Sequence, residues 1–290
     1  MCRDLLIRWD NKMNMPNEYK VLTLYLTRDK KSFIKDNYES VRDQRGVTQD
    51  IFVISSEPLD IDRNIAIPVP KSLPIPIRVS FSLNMVLKQL RENIGNYSHI
   101  FKVDGDVRLP DDYLVNLARK KTPIAGIGAA LLISVPFFTK LLGEYPISYC
   151  DDGYISALSI SIGYWPPQYD GRGKLKLPPI TYFSDREYQY GIEYYKWGMP
   201  STLLLVISTL KILKGKHLKE FEKRDLRAPL FNVAGYLSGM IKGERYCWWR
   251  KYRYYRTYHF IKKLVFLIER LFWRKSSEKI NGGDEYNIDN

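Results

Sequence analysis

The sequence predicts an α/β fold, an open and mainly parallel sheet flanked by helices, followed by a helical carboxyl-terminal extension. Three observations predict it. Val21–Leu26 and Gln49–Ser56 are β-rich runs separated by a single helical stretch, the spacing of a βαβ unit with parallel strands. Downstream, strand-like and helical segments keep alternating, and the strand ends carry small polar or acidic residues, where ligands sit in open α/β sheets. The run Ile100–Val103 ends in Asp104-Gly105-Asp106, two carboxylates around a glycine that permits a tight turn.

In chain order, residues 1–18 read as a polar tail. Thr27–Ser32 can cap a helix from Phe33 to about Arg45. Ile65–Pro70 is extended, and its prolines confine it to a sheet edge or an irregular connection. Val79–Ile94 has apolar residues at Phe81, Leu83, Val86, Leu87 and Leu90, close to helical spacing, with Gly95 able to end it. Ala125–Ile133 reads as a strand plus turn, Phe137–Leu142 as a short helix, and Tyr154–Ile162 as a helix ending at Gly163. Residues 164–198, rich in Pro, Gly, Tyr and charge, are expected to be a long loop of functional kind. Leu203–Leu213 is an apolar helix too short to span a bilayer, and Ala228–Lys242 is another helix. The division that follows is a tail (1–18), a catalytic α/β domain (19–198), a helical extension (199–275) and a disordered tail (276–290).

Composition narrows the partners. The chain has 290 residues, 45% of them hydrophobic, and a formal net charge of +13. Such a surplus calls for an anionic partner: a phosphorylated substrate, nucleic acid or an acidic membrane surface. Cys2, Cys150 and Cys247 are far apart and show no metal-ligand spacing, so free thiols in a reducing cytoplasm are expected. Acids and arginines occupy the amino-terminal stretch where a signal peptide needs its apolar core, so secretion is not expected.

Two acid pairs could carry chemistry. Asp104 and Asp106 at a strand end could hold a hard divalent ion, since Mg2+ and Mn2+ accept few carboxylates together with substrate oxygens. The plain alternative is a turn, and a calcium loop is less favoured still, because Arg108 stands where a third acid should fall. Asp151-Asp152 head a helix. They could cap its amino terminus, or one could serve as a general base, and the two roles are compatible.

With these residues in place, residues 20–165 resemble the GT-A fold glycosyltransferases, specifically the inverting family 2. The resemblance lies in the βαβ opening, Val103-Asp104-Gly105-Asp106 followed by Pro110-Asp111-Asp112-Tyr113-Leu114, and the acid pair heading a helix. It implies a Mg2+ or Mn2+ cofactor on Asp106, with Asp104 at the ribose or a metal-bound water, and Asp152 as catalytic base with Asp151 as understudy. Thr27, Arg28, Ser55, Ser56 and Glu57 would face the nucleoside, and Arg78 and Gly105 the diphosphate region, although the family usually has an acid where Ser55 or Ser56 stands. The implied donor is a UDP- or GDP-sugar, and the acceptor a sugar, a protein or a lipid-linked hydroxyl. The Gln-x-x-Arg-Trp pattern of processive synthases is missing, which favours transfer of a single sugar. A retaining glycosyltransferase or a nucleotidyltransferase on the same scaffold would also keep Asp104 and Asp106. His217 and His259 are expected at the surface.

The segment 245–275 interleaves aromatic and basic residues. Core packing, a nucleic-acid groove and membrane-surface docking are all open readings. No RNP, zinc or helix-turn-helix pattern accompanies the second, so nucleic acid is not expected. Trp, Tyr, Lys and Arg suit an anionic headgroup layer, which favours docking at the cytoplasmic, inner face of a membrane. A non-catalytic nucleic-acid- or membrane-binding protein is the alternative of another class.

Overall fold

The structure, a computed structural model, describes residues 19–177, 184–217 and 227–280. The expected tail at 1–18, and residues 281–290 of the tail expected at 276–290, lie outside the described residues. The first part of the chain forms β1 (Lys20–Leu26), α1 (Lys35–Arg42), β2 (Thr48–Ser55), β3 (Asn64–Ala66), α2 (Ile75–Gln89) and β4 (His99–Asp104). Then come α3 (Tyr113–Ala118), β5 (Ile124–Ile127), β6 (Ala130–Ser134), a short turn α4 (Val135–Phe137) continued by a π turn, and α5 (Asp151–Ser161). The strands make one six-stranded sheet in the order β3-β2-β1-β4-β6-β5. β1 pairs parallel with β2 and β4, β2 with β3, and β6 runs antiparallel to both β4 and β5.

Strand alternation divides the buried residues between two cores, because successive side chains leave a strand on opposite faces. On one face Leu22, Leu24, Ile100, Leu131 and Ile133 meet Leu83, Val86 and Leu87 of α2 and Ile155 and Leu158 of α5. On the other Val21, Tyr25, Phe101, Val103 and Leu132 meet Val41 of α1 and Tyr113, Leu114 and Leu117 of α3. Each large apolar side chain so buried is worth roughly 1.5–3 kcal/mol. The same parity puts Lys102 and Asp104 with Ile100, on the α5 side, and this decides where the site forms.

Several expectations are corrected. Ala125–Ile133 is a two-strand hairpin, β5–β6, and Gly126 takes φ +97 in it, which only glycine adopts readily. α2 starts at Ile75, ahead of Val79, because Pro76 suits the first helical turn. Residues 164–198 are not all loop: they contain α6 (Ser184–Trp197). Its tyrosines and glycine masked a helical register that packing against other helices supports. Beyond it lie α7 (Ser201–His217), α8 (Ala228–Lys242) and one long α9 (Trp249–Ile280), which runs into the stretch read as a disordered tail. α6 packs along α8, and α5 against α9. Tyr195, Trp197, Tyr236, Trp248 and Tyr252 join the α5-side core, so part of the aromatic content of 245–275 is core packing. Cys150 is a buried free thiol, but Cys247 is disulfide-bonded, against the expectation of free thiols. Spacing along the chain does not limit pairing in space, and free thiols are no longer a ground for a cytoplasmic placement.

Candidate functional site

β4 delivers Asp104 to the carboxyl edge of the sheet, in register with Leu26 at the end of β1. The glycine that follows is clamped. Gly105 donates its N–H to the Leu26 carbonyl (2.7 Å), and its own carbonyl accepts from the Tyr25 hydroxyl and Asn37 Nδ2, both at 3.0 Å. A Cβ there would sit 2.7 Å from the Leu26 carbonyl oxygen, so the turn requires glycine. The clamp fixes Asp106, whose carboxylate is exposed and makes no ion pair among the described residues. Two residues on, Arg108 forms an antiparallel bridge with Lys176, pinning the 164–177 segment beside the acid turn.

The second acid pair arrives from the other side. Cys150, not an aspartate, is the N-cap of α5, and Asp151 and Asp152 occupy its first turn, where the helix dipole favours negative charge. Asp152 Oδ1 accepts from the Gly153 N–H at 2.8 Å. Its other oxygen occupies the space above Gly128 in the β5–β6 turn; a Cβ on Gly128 would lie 1.6 Å from it. Any other residue there would displace the carboxylate.

Between the two pairs stands Lys102, 5% exposed. Its ammonium donates to the Gly128 carbonyl at 2.8 Å and pairs with Asp104 at 2.7 Å. Burial works against its charge, but Asp104, Asp151 and Asp152 outweigh that and raise its pKa. Asp104 is shifted upward by burial, with Lys102 opposing and Asp106 and Asp152 adding to the shift. Burial and the neighbouring Asp152 push Asp151 up to about 6. Two carboxylates this close share their titration, so the neighbouring charge disfavours ionisation of Asp151 in the pair. Tyr145, buried beside Asp151, has its hydroxyl pKa raised by burial and by both acids.

The sequence reading missed Lys102, taking Ile100–Val103 as simply apolar. A lysine inside a buried strand, two residues before an acid, was the available signal. It also missed Arg186 on α6, which donates to the Tyr190 hydroxyl. Desolvation opposes its charge, while Tyr190 and the carboxylate of Asp152 outweigh that and raise its pKa. Nothing local in the sequence links residues 152 and 186.

The expected nucleoside-facing residues gather at the ends of β1 and β2. Ser56 donates both its N–H and its hydroxyl to the Arg28 carbonyl (2.9 and 2.5 Å). Glu57 accepts from the Lys30 N–H. Arg28 is exposed and paired with Asp29, and the Thr27 hydroxyl is buried with no partner. Ser55 is 3% exposed and bonded to Glu57 and Asn64, which makes it a structural clasp. Arg78 lies in the first turn of α2 with its Nε buried and unpartnered. His259 is not a free surface histidine: it stacks on Trp165 with ring centroids 4.1 Å apart. The His217 side chain lies outside the described residues.

The donor set suits a hard divalent ion shared with a ligand. Asp106 offers an unpaired carboxylate and Asp104 a second one already balanced by Lys102, while no group of three or more His, Cys, Asp or Glu among the described residues could hold a metal alone.

No family model matches the chain, and no curated protein does. Among solved structures, the chain is similar to the mannosyltransferase PcManGT from Pyrobaculum calidifontis, solved in complex with GDP-mannose and Mn2+. The likeness has 11% sequence identity and a TM-score of 0.49, and covers 83% of this chain and 95% of that one.

Proposed function

We propose that the chain is a GT-A, family 2-like glycosyltransferase that moves one sugar from a UDP- or GDP-sugar to an acceptor hydroxyl with inversion. The observation that carries this reading is the convergence of Asp104, Asp151 and Asp152 on the buried Lys102, with Asp106 left exposed and unpaired at the edge. One acid turn faces outward to a ligand; the other is held with one member ready to accept a proton.

Asp106, with Asp104 beside it, would hold Mg2+ or Mn2+ against the donor diphosphate, and the ion would neutralise charge on the leaving group. Asp152 removes the proton of the acceptor hydroxyl, its carboxylate aimed by Gly128 and by the Gly153 N–H. Asp151 stands beside it as a second carboxylate, and Lys102 holds Asp104 and balances the acid charge. Arg186, whose charge interacts with Asp152, would line the approach to it. The basic charge of the chain suits the anionic leaflet at the cytoplasmic membrane face, where a lipid-linked acceptor would lie.

The test is release of nucleotide from UDP- and GDP-sugars with Mn2+ or Mg2+, and transfer once an acceptor is found. Asp106→Ala should lower metal-dependent turnover by at least about a hundredfold, and Asp152→Asn should lower transfer by about the same, roughly 2.7 kcal/mol of barrier each. Full activity in Asp152→Asn would sink the base assignment, and a product that retains anomeric configuration would exclude inversion.

A further inference from the structure

α8 is built inside out. Its inner side carries Asn232, Gly235, Tyr236 and Gly239, all buried. The glycines are there for close approach: a Cβ on Gly235 would lie 1.9 Å from the Tyr188 carbonyl oxygen of α6, and one on Gly191 of α6 would lie 2.0 Å from the Asn232 carbonyl oxygen. A buried hydrogen bond from Asn232 Nδ2 to Glu187 crosses the same seam at 2.9 Å. Small residues and an interhelical polar bond are how helices associate where apolar side chains have no reason to turn inward.

The outer side is the reverse. Leu230, Phe231, Leu237, Met240 and Ile241 are exposed at helical spacing, Ile241 at 89%. The exposed residues of α8 between Arg227 and Lys242 carry no charge. α7 adds Leu205, Val206 and Leu210, exposed at the spacing of a single helix face. An apolar surface this continuous on two neighbouring helices marks a contact with something apolar.

The flank is basic. Arg245, in the link between α8 and α9, sits 3.8 Å over the ring of Tyr195, against which Gly239 of α8 packs, and Arg245 and Arg253 of α9 both act electrostatically on the Tyr236 hydroxyl of α8. On α9 a shallow groove of about 530 Å³ is lined by Trp249, Tyr254, Tyr258 and Ile261 together with Arg250 and Arg253. Rings and an aliphatic side chain beneath guanidiniums suit acyl chains beneath phosphate headgroups. At 15 residues α8 is about 22 Å long, short of the roughly 30 Å of a hydrocarbon core, and no helix among the described residues is long and apolar enough to cross a membrane.

From this we infer that the outer face of α7 and α8 embeds in one leaflet of an anionic phospholipid bilayer, lying in its plane, with the arginines of α9 on the headgroups beside it. This deepens the membrane location in the function proposed above, moving the embedded surface from α9 to α7–α8, and it does not depend on sugar transfer.

The experiment is flotation of the full chain with vesicles of phosphatidylcholine containing one third phosphatidylglycerol, without donor or metal. Binding is expected to these vesicles and to weaken in pure phosphatidylcholine. The double variant Leu237→Glu/Ile241→Glu should lower the bound fraction about tenfold, with circular dichroism and melting temperature unchanged. Should that pair perturb the fold, Leu237→Ser/Ile241→Ser supplies the same comparison with a loss of about threefold. Arg250→Gln/Arg253→Gln should lower binding only to the anionic vesicles. Equal binding of wild type and both α8 variants would overturn the assignment. So would a stable dimer in sedimentation that is lost in the α8 variants while vesicles stay unbound. Because nucleotide release is measured separately, vesicle binding can fail with turnover intact, and the reverse.

Discussion

The sheet half of the molecule and its helical half bury opposite things. Around the sheet, Leu22, Tyr25, Phe101 and Tyr113 are fully enclosed and the charged residues, Lys102 of the site apart, are not buried. Along the seam of α6 and α8 glycines, Asn232 and Glu187 are enclosed beside Ile192, Tyr195 and Tyr236, and the leucines and isoleucine of α8 face outward. Both halves obey the same rule, that each side chain turns to the medium it suits. The sheet half keeps its large apolar residues inside, and the outer side of α8 between Arg227 and Lys242 presents an apolar surface without charge.

The contrast can be broken at its strongest point first. Phe101→Ala, which empties a fully buried site between β4 and Tyr113, is expected to cost about 3–5 kcal/mol in urea or thermal unfolding. Gly235→Val attacks the other kind of interior, because its side chain must push the backbones of α6 and α8 apart. A loss of about 1–3 kcal/mol is expected, and a neutral result would show that the seam is loose.

A smaller effect separates the site from both interiors. Asp151 has its folded pKa raised to about 6, above the ordinary value of 3.8, so its charged form is disfavoured in the fold. Its stabilising effect is complete below about pH 3.8 and is lost as pH rises through about 6. Unfolding at pH 4 and pH 7 should therefore show a fall in stability of about 2 kcal/mol in the wild type that Asp151→Asn lacks. A pH dependence unchanged by that substitution would place the buried proton elsewhere. The smallest effect is Leu237→Ser, expected to change stability in water by less than about 0.5 kcal/mol although it removes a large apolar side chain. A loss like that at Phe101 would mean the face is covered by the chain itself.

The βαβ opening, the edge position of Ile65–Pro70 and the helix at Ala228–Lys242 were legible in the sequence because each is set by local periodicity or by proline. α6 was not, since its tyrosines and charges show no clean apolar stripe and its helix depends on the α8 glycines. Asp104, Asp106, Asp151 and Asp152 were legible as pairs, being adjacent or nearly so along the chain. Lys102 was printed among them and passed over, because a run of strand residues hides one charge.

What the sequence determined by itself was the alternation of strands and helices, the acid turn and the surplus of positive charge, all properties of residues close together in the chain. Only the tertiary structure decided that Lys102 stands between the two acid pairs, that burial and a neighbouring acid raise the pKa of Asp151, and that α8 turns its leucines outward. Each of these depends on which surfaces meet across long separations. Burial, the charge of a distant neighbour and the closeness of two helix backbones are settled by packing and leave no local periodicity to read.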